Sequence, residues 1–351
     1  MRAAVLRGDR IVVAEVEDPA PGPGQVLVRT LACGICGSDL HAAQDLTGFA
    51  AQLAATGAPG GLDPGWQVVF GHEFSAELVG YGPDTARTLP LGTMVCAVPM
   101  AFGPEGPEGI GYSQRFPGGF GELMVLQEQS LLAVPEGRSA ELAALTEPLA
   151  VGEHAVRRAD PGPDAVCLVV GCGPVGLSVI LALKASGQAT VVAADFSPAR
   201  RELAGRLGAD LVIDPAAGSP YSRWSELGVP ATLLERGAND LFGLPSRDAV
   251  IFECVGVPGV LREIVAGAPP RARVVVVGVC MSQDVIEPFP AIVKELELRF
   301  CFGYTGEEFA GTLRRGAPEG LVTATVGLDG VGEAFETLRD PGEHVKIMVR
   351  P

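Results

Sequence analysis

The stretch "AVCLVVGCGPVGLSVILALKASGQATVVAAD", Ala165 to Asp195, decides the fold. An apolar, β-branched segment runs into Gly171-Cys172-Gly173-Pro174-Val175-Gly176. An uncharged stretch of helical length follows, and then a second apolar segment that ends on an acid. Gly171, Gly173 and Gly176 match G-x-G-x-x-G between a strand and a helix, and Pro174 and Val175 complete the loop. The glycines permit a tight turn, the approach of backbone to a pyrophosphate, and close packing of the helix on its strand; the helix N-terminus then faces the phosphates. Asp195 stands where a carboxylate accepts bonds from the hydroxyls of an adenosine ribose. Glycines alone are compatible with a turn that binds nothing. Their place in a strand-turn-helix-strand-acid sequence argues for a dinucleotide site. The uncharged run from Ala165 to Leu183 is nearly long enough to span a bilayer, but glycines and a proline in its middle make it a buried strand, a turn and a buried helix.

The same rhythm continues downstream. "SPARRELAGRLG" reads as a helix, and "DAVIFECVG", "PGVLREIVAGA" and "ARVVVVGV" alternate strand, helix and strand. Apolar strands alternating with helices predict a parallel sheet covered on both faces. Upstream the texture differs. "AAVLRG", "RIVVAEV", "QVLVRTLAC", "GTMVCAVPM" and "GELMVLQ" are short strands divided by turns such as "DPAPGPG". Residues 46–65 and 101–119 read as long polar loops, a length usually reserved for function. After about residue 290 the pattern is mixed, and the closing "VKIMV" needs strand partners outside the parallel sheet. The expected organisation is a β-rich domain from residues 1–150 and 290–351, interrupted by a Rossmann domain at 151–289.

The chain has 351 residues, enough for two cores. Its net charge of −16 disfavours nucleic acid and anionic membranes as partners. "MRAAVLRGDRIVV" has no export signal, so a cytoplasmic location is expected, and with it eight cysteines that remain thiols.

A second constellation is scattered over the first domain. "CGICGSDLHAAQ" (Cys33 to Gln44) holds Cys36, Ser38, Asp39 and His41; "FGHEF" adds His72 and Glu73; "TEPLAVGEHA" adds Glu147. A thiolate, an imidazole and carboxylates suit tetrahedral zinc, with Cys36, His72 and Glu147 as ligands and Glu73 beside them. Cys33 and Cys36 also form C-x-x-C, which in other settings is a redox pair. The third alternative is a satisfied core histidine beside a buried thiol. Residue types and spacing leave all three open.

The chain resembles the zinc-dependent medium-chain dehydrogenase/reductase superfamily, alcohol dehydrogenase-like, on the side of threonine and polyol dehydrogenases. The resemblance runs end to end through "CGICGSDLH", "GHEF", "GGFGELMVL", "TEPLAVGEHAV", "VVGCGPVGL", "ECVG" and "VGLDGVGEAFETL…HVKIMV". It implies an α/β Rossmann domain, doubly wound, joined to a β-rich GroES-like catalytic domain. It implies one catalytic zinc surrounded by Cys36, His72, Glu73 and Glu147, without deciding which glutamate ligates at rest. It implies NAD as cofactor, a small-molecule alcohol (a secondary alcohol, polyol or amino alcohol) or its carbonyl as substrate, and a homodimer or homotetramer in which Rossmann sheets pair through their last strands, for which "ELELRFCFGY", Glu295 to Tyr304, has the alternation of an edge strand. Two departures stand out. The lobe that often carries four close-set cysteines holds only Cys96 here, so no structural zinc is expected. The segment between His41 and His72 is longer than usual.

The chemistry implied is polarisation of a substrate oxygen by zinc and hydride transfer to the nicotinamide. Ser38 would receive the alcohol proton and His41 pass it on; as a motif, Ser38 is equally a helix cap. Asp39 is a cap or a group supporting a ligand. Asp195 followed by Phe196, with no base before Arg200, favours NAD over NADP, and Arg200 can stack on the adenine. His154 is expected to lie between domains and Arg201 to be a solvated charge. Two competing classes remain: a zinc-free reductase of quinone-oxidoreductase type, and a non-enzymatic nucleotide-binding member.

Overall fold

The computed structural model describes residues 1–57, 62–188, 190–339, 342 and 344–351. The chain divides into two compact units, one of Met1–Glu147 with Phe309–Pro351 and one of Pro148–Glu308.

The strands of the first unit are β1 (Arg2–Arg7), β2 (Arg10–Glu15), β3 (Gln25–Gly34), β4 (Glu73–Tyr81), β5 (Met94–Ala97), β6 (Met100–Gly103), β7 (Gly106–Gly109), β8 (Leu123–Gln127) and β9 (Leu131–Ala133). The second unit supplies β10 (Val166–Val170), β11 (Thr190–Ala194), β12 (Leu211–Ile213), β13 (Ala249–Glu253), β14 (Arg273–Val276) and β15 (Glu297–Phe300). The chain then returns to the first unit with β16 (Val322–Gly327) and β17 (Lys346–Arg350).

In the second unit the sheet order is β12-β11-β10-β13-β14-β15, parallel throughout. That is the 3-2-1-4-5-6 order of a dinucleotide fold, with the direction of winding reversed between β10 and β13. Strand residues Val166, Leu168, Val192, Ile251 and Val274 pack into one core, which is why these segments read as continuous apolar runs. The parallel sheet continues past residue 290. Strand β15 adds to β14, so the return to the first unit falls at Phe309 rather than at 290. The alternation of "ELELRFCFGY" was a sheet-edge signal that outweighs the mixed texture around it.

The first unit is built on a sheet of order β16-β17-β3-β4-β5-β9, with β8 also paired to β3. Two registers place the chemistry. Gly34 on β3 faces Glu73 on β4, and Met348 on β17 faces Gly34 from the other side. Thus the end of β3, the start of β4 and the closing strand converge on one corner.

Both supposed loops contain regular structure. Within 46–65 a helix runs from Leu46 to Ala55. Asp45 caps it by accepting from the Gly48 N–H at 2.8 Å, and the Ala, Leu and Gln content supports it. The Gly/Pro punctuation belongs to the second half of the segment, of which 58–61 lie outside the described residues. Within 101–119, β6 and β7 form a hairpin. Its buried Glu108 accepts from Ser113 and pairs with Arg115 at 3.3 Å. A carboxylate hub therefore organises the lobe. "GTMVCAVPM" is two strands, not one, because Pro99 ends the ladder between β5 and β6.

Candidate metal centre and dinucleotide loop

Helix α1 (Gly37–Gln44) follows β3 directly, and Cys36 is its N-cap residue. The Cys36 N–H donates to Asp39 Oδ2 at 3.0 Å, which fixes the turn. His72 and Glu73 arrive at the start of β4. One ligating atom each from Cys36, His72 and Glu73 lies within 4.8 Å of the others, the one such group of three among the described residues. His72 and Glu73 are buried. Sulfur, nitrogen and oxygen donors at that mutual distance fit a zinc ion. Glu147, in the first turn of the helix Thr146–Ala159, is not in the group, although its charge acts on Lys346.

Asp39 is fully buried, and its Oδ1 lies 3.4 Å from His72 Nδ1. That is an ion-pair distance, and His72 Nδ1 makes no hydrogen bond among the described residues. Burial opposes charge on His72, but Asp39 and Cys36 outweigh it and hold the imidazole pKa well above its ordinary value. Metal binding therefore displaces a proton. Ser38 lies inside α1, so it is not the cap. His41 is half-buried on the same helix, and burial lowers its pKa. Cys33 ends up buried in β3, where burial and the charges of Asp39 and Glu73 push its thiol well above the usual range. That environment suits an inert core thiol and not half of a redox pair. All eight cysteines are free.

Two participants are absent from the sequence reading. Lys346 on β17 is 2% exposed, yet its Nζ donates to Glu73 Oε1 and Oε2 at 2.7 and 2.6 Å and to the Ile35 carbonyl at 2.9 Å. Burial disfavours its charge, but Glu73, Cys36 and Glu147 more than offset this and raise its pKa. Room for the pair exists because residue 34 is glycine: a Cβ there would lie 2.1 Å from Glu73 Oε2. A charged residue inside the apolar strand "VKIMV" was the available signal. The second is Tyr112, whose hydroxyl lies 2.8 Å from Ser38 Oγ and 2.8 Å from Asp39 Oδ1. Burial and the charges of Asp39 and Cys36 keep it a neutral phenol by raising its pKa well above the usual value. No local pattern announces it.

In the second unit, Gly171 adopts φ +89° and leads into α5 (Pro174–Ala185), which Gly173 caps and Pro174 opens. A Cβ on Gly176 would lie 1.8 Å from the Gly171 carbonyl oxygen, so only glycine fits. Asp195 leaves the end of β11, and its two oxygens accept from Cys172 N and Ser197 N, each at 2.7 Å. Those bonds aim the carboxylate at the glycine loop and leave each oxygen further lone pairs. Arg200, in the first turn of α6 (Pro198–Arg206), comes to 3.9 Å from where a Gly173 Cβ would be. Arg201 is no solvated charge. It bonds the Asp195 and Phe196 carbonyls at 2.9 and 2.8 Å and pairs with Asp214 at 2.9 Å. His154 pairs at 3.0 Å with Glu308, inside the same compact unit.

Residues 22–136 match the model of the alcohol dehydrogenase GroES-like domain, and residues 174–317 that of the zinc-binding dehydrogenases. The chain is 31% identical to (R,R)-butanediol dehydrogenase of Bacillus subtilis (strain 168) over the whole of both chains. It is 26% identical to sorbitol dehydrogenase of the same organism over 100% of this chain and 97% of that one. Among solved structures, a 2R,3R-butanediol dehydrogenase from Bacillus subtilis superposes with a TM-score of 0.78 at 28% identity, covering 100% and 99% of the two chains. The Cys/His/Glu group and these matches favour the zinc-dependent class over a zinc-free reductase. A doubly wound nucleotide fold, a GroES-like partner unit and a three-donor metal corner converge with full-length similarity, and the chain belongs to the zinc-dependent medium-chain dehydrogenase/reductase superfamily as an alcohol dehydrogenase-like oxidoreductase that uses zinc and a nicotinamide cofactor.

Proposed function

We propose that the protein oxidises a small secondary alcohol, diol or polyol with NAD, or reduces the matching ketone. The observation that carries this reading is the Cys36-His72-Glu73 group, with Ser38 two residues after Cys36 on α1. Cys36, His72 and Glu73 would hold the metal, and Glu147 is the other carboxylate the sequence offers for it. Zinc bound there supplies the Lewis acidity that lowers the pKa of an alcohol. Ser38 accepts the alcohol proton, and His41, one helical turn along α1, carries it outward. Asp39 is the ion-pair partner of His72. In the second unit Gly171, Gly173, Pro174, Val175 and Gly176 cradle the pyrophosphate, Asp195 takes the ribose hydroxyls and Arg200 lies against the adenosine half. The names of the relatives, a butanediol and a sorbitol dehydrogenase, support vicinal diols and polyols as the first substrates to try. A screen of NAD reduction across such alcohols, on protein assayed for metal, is the test. One zinc per chain with turnover of at least one secondary alcohol is expected; two tightly held zinc ions, or no turnover with any diol or polyol, would count against the assignment.

NAD is expected to be preferred over NADP. A 2′-phosphate would meet the Asp195 carboxylate and lose its bonds, and Arg201 is committed to Asp214. The combined loss is about 2–4 kcal/mol, or roughly thirty- to a thousandfold in kcat/KM. Asp195→Ser should narrow the ratio at least tenfold. Equal kcat/KM for the two cofactors in the wild type would remove Asp195 from this role.

The free thiols support a reducing, cytoplasmic setting. Among the described residues no helix is long and apolar enough to cross a membrane. For assembly, β15 is the end strand of the parallel sheet among the described residues, and Phe300 and Phe302 nearby are 66% and 88% exposed. Pairing of that edge with a second copy would cover it and give a homodimer or homotetramer.

A further inference from the structure

The strand order fixes where the two halves of a dinucleotide fall. With the adenosine ribose at Asp195 after β11 and the pyrophosphate on the glycine loop after β10, the other half lies over the ends of β13 and β14, across the point where the winding reverses. Three valines stand there with part of their surface bare. Val255 and Val257 follow β13 and Val279 follows β14, and all three are between 40% and 45% exposed.

Glu253, the last residue of β13, is 3% exposed and joins the two turns that carry these valines. Its Oε1 accepts from the N–H groups of Val255 and Gly256, each at 2.8 Å. Its carbonyl accepts from Val277 N and Gly278 N, each at 2.9 Å. The turns also touch directly. A Cβ on Gly278 would lie 2.3 Å from Gly256 N and 2.7 Å from Glu253 Oε2, and a Cβ on Gly256 would lie 2.7 Å from Val279 N. Gly256 takes φ +72°, a conformation that suits glycine. On the other side, a Cβ on Gly171 would lie 2.7 Å from Val255 Cγ2, so the turn after β13 rests on the glycine loop as well. Two backbone N–H groups thus depend on one buried oxygen. Without it both would be orphaned, and the turn could regain partners only by rotating its peptides, which would re-aim Val255.

We propose that Glu253 is a positioning residue for the cofactor: it fixes the 254–257 turn so that Val255, Val257 and Val279 form one apolar rest for the nicotinamide ring. This rests on the nicotinamide cofactor and not on which alcohol is oxidised, so binding tests it apart from turnover. ADP-ribose, which has the adenosine, the pyrophosphate and the second ribose but no nicotinamide, is the comparison ligand. Glu253→Met fills the space without an oxygen to accept. It should raise the Kd for NADH about five- to fiftyfold, while the Kd for ADP-ribose stays within twofold of wild type. The emission of the bound reduced nicotinamide should shift back toward that of free NADH. Glu253→Gln keeps an oxygen able to accept both N–H groups and should hold the Kd for NADH within threefold of wild type. Val255→Ser leaves the acid and its bonds in place and should reproduce the selective loss of NADH, which keeps the proposal open to refutation even if Glu253→Met does not fold. Equal losses of NADH and ADP-ribose would mean that Glu253 only supports the glycine loop. Unchanged affinity for both ligands with a lowered Tm would make it a packing residue. Either result overturns the proposal, as would a Gln variant as weak as the Met variant, or a Val255→Ser protein that binds NADH like the wild type. If no alcohol is turned over while the selective loss of NADH is still seen, alcohol oxidation is wrong and the role of Glu253 stands.

Discussion

Cys36→Ser should abolish alcohol oxidation, lowering kcat/KM by about a thousandfold or more, because the Lewis acid is worth several kcal/mol and each 1.36 kcal/mol is tenfold. The sulfur of Cys36 is the softest donor in the Cys36-His72-Glu73 group and sits at the start of α1. A serine hydroxyl at that position is a far weaker ligand at neutral pH, so zinc content should fall well below one per chain. NAD affinity should stay within twofold of wild type, since the glycine loop and Asp195 belong to the other compact unit. The informative control is Cys33→Ser. A redox pair needs both thiols, so it predicts equal losses from the two substitutions. The buried, non-ligating Cys33 of β3 predicts a modest stability loss and an intact zinc site. Retention of zinc together with more than a tenth of wild-type turnover in Cys36→Ser would remove Cys36 from the metal.

The second large effect is on stability. Lys346→Met should destabilise the protein by about 3–5 kcal/mol, because it strands a buried carboxylate. Glu73 is 1% exposed and has both oxygens bonded to Lys346 Nζ, while the ammonium also serves the Ile35 carbonyl just ahead of Cys36. For a unit of this size that corresponds to a fall in Tm of roughly 10 °C. Pairing the change with Glu73→Gln should recover much of the loss, since a neutral amide has no charge to strand. The penalty should be greater after chelation, when the metal no longer supplies a second cation for Glu73. A cost under 1 kcal/mol in the chelated protein would show that the carboxylate has found water or a proton instead.

Lys346 also marks the line between what is local and what is not. The doubly wound sheet was legible because its signals are contiguous: "AVCLVVG" is apolar throughout since both faces are covered, and Gly176 must be glycine because a methyl would meet the Gly171 carbonyl. The candidate ligands were legible as residue types, although Cys36 and His72 are distant along the chain. The helix Leu46–Ala55 was lost because its alanine-rich half was read together with the Gly/Pro-rich half that follows. The boundary at 290 falls short because β15 is brief and flanked by irregular chain, although the alternation of "ELELRFCFGY" marks it as an edge strand.

The sequence by itself determined the dinucleotide fold, the β-rich companion, the family and the set of residue types able to hold zinc, because each is written in periodicities and motifs spanning a few tens of residues at most. Only the tertiary structure decided which of those residues meet. The register of β3 on β4 sets Glu73 opposite Gly34, and β17 brings Lys346 to it from the far end of the chain. The same folding leaves Glu147 outside the three-donor group and carries Tyr112 to Ser38 and Asp39. The physical reason is that strand registry and side-chain packing are settled by contacts between segments remote in sequence, where a buried charge or hydroxyl is tolerated only if a partner from elsewhere arrives to satisfy it.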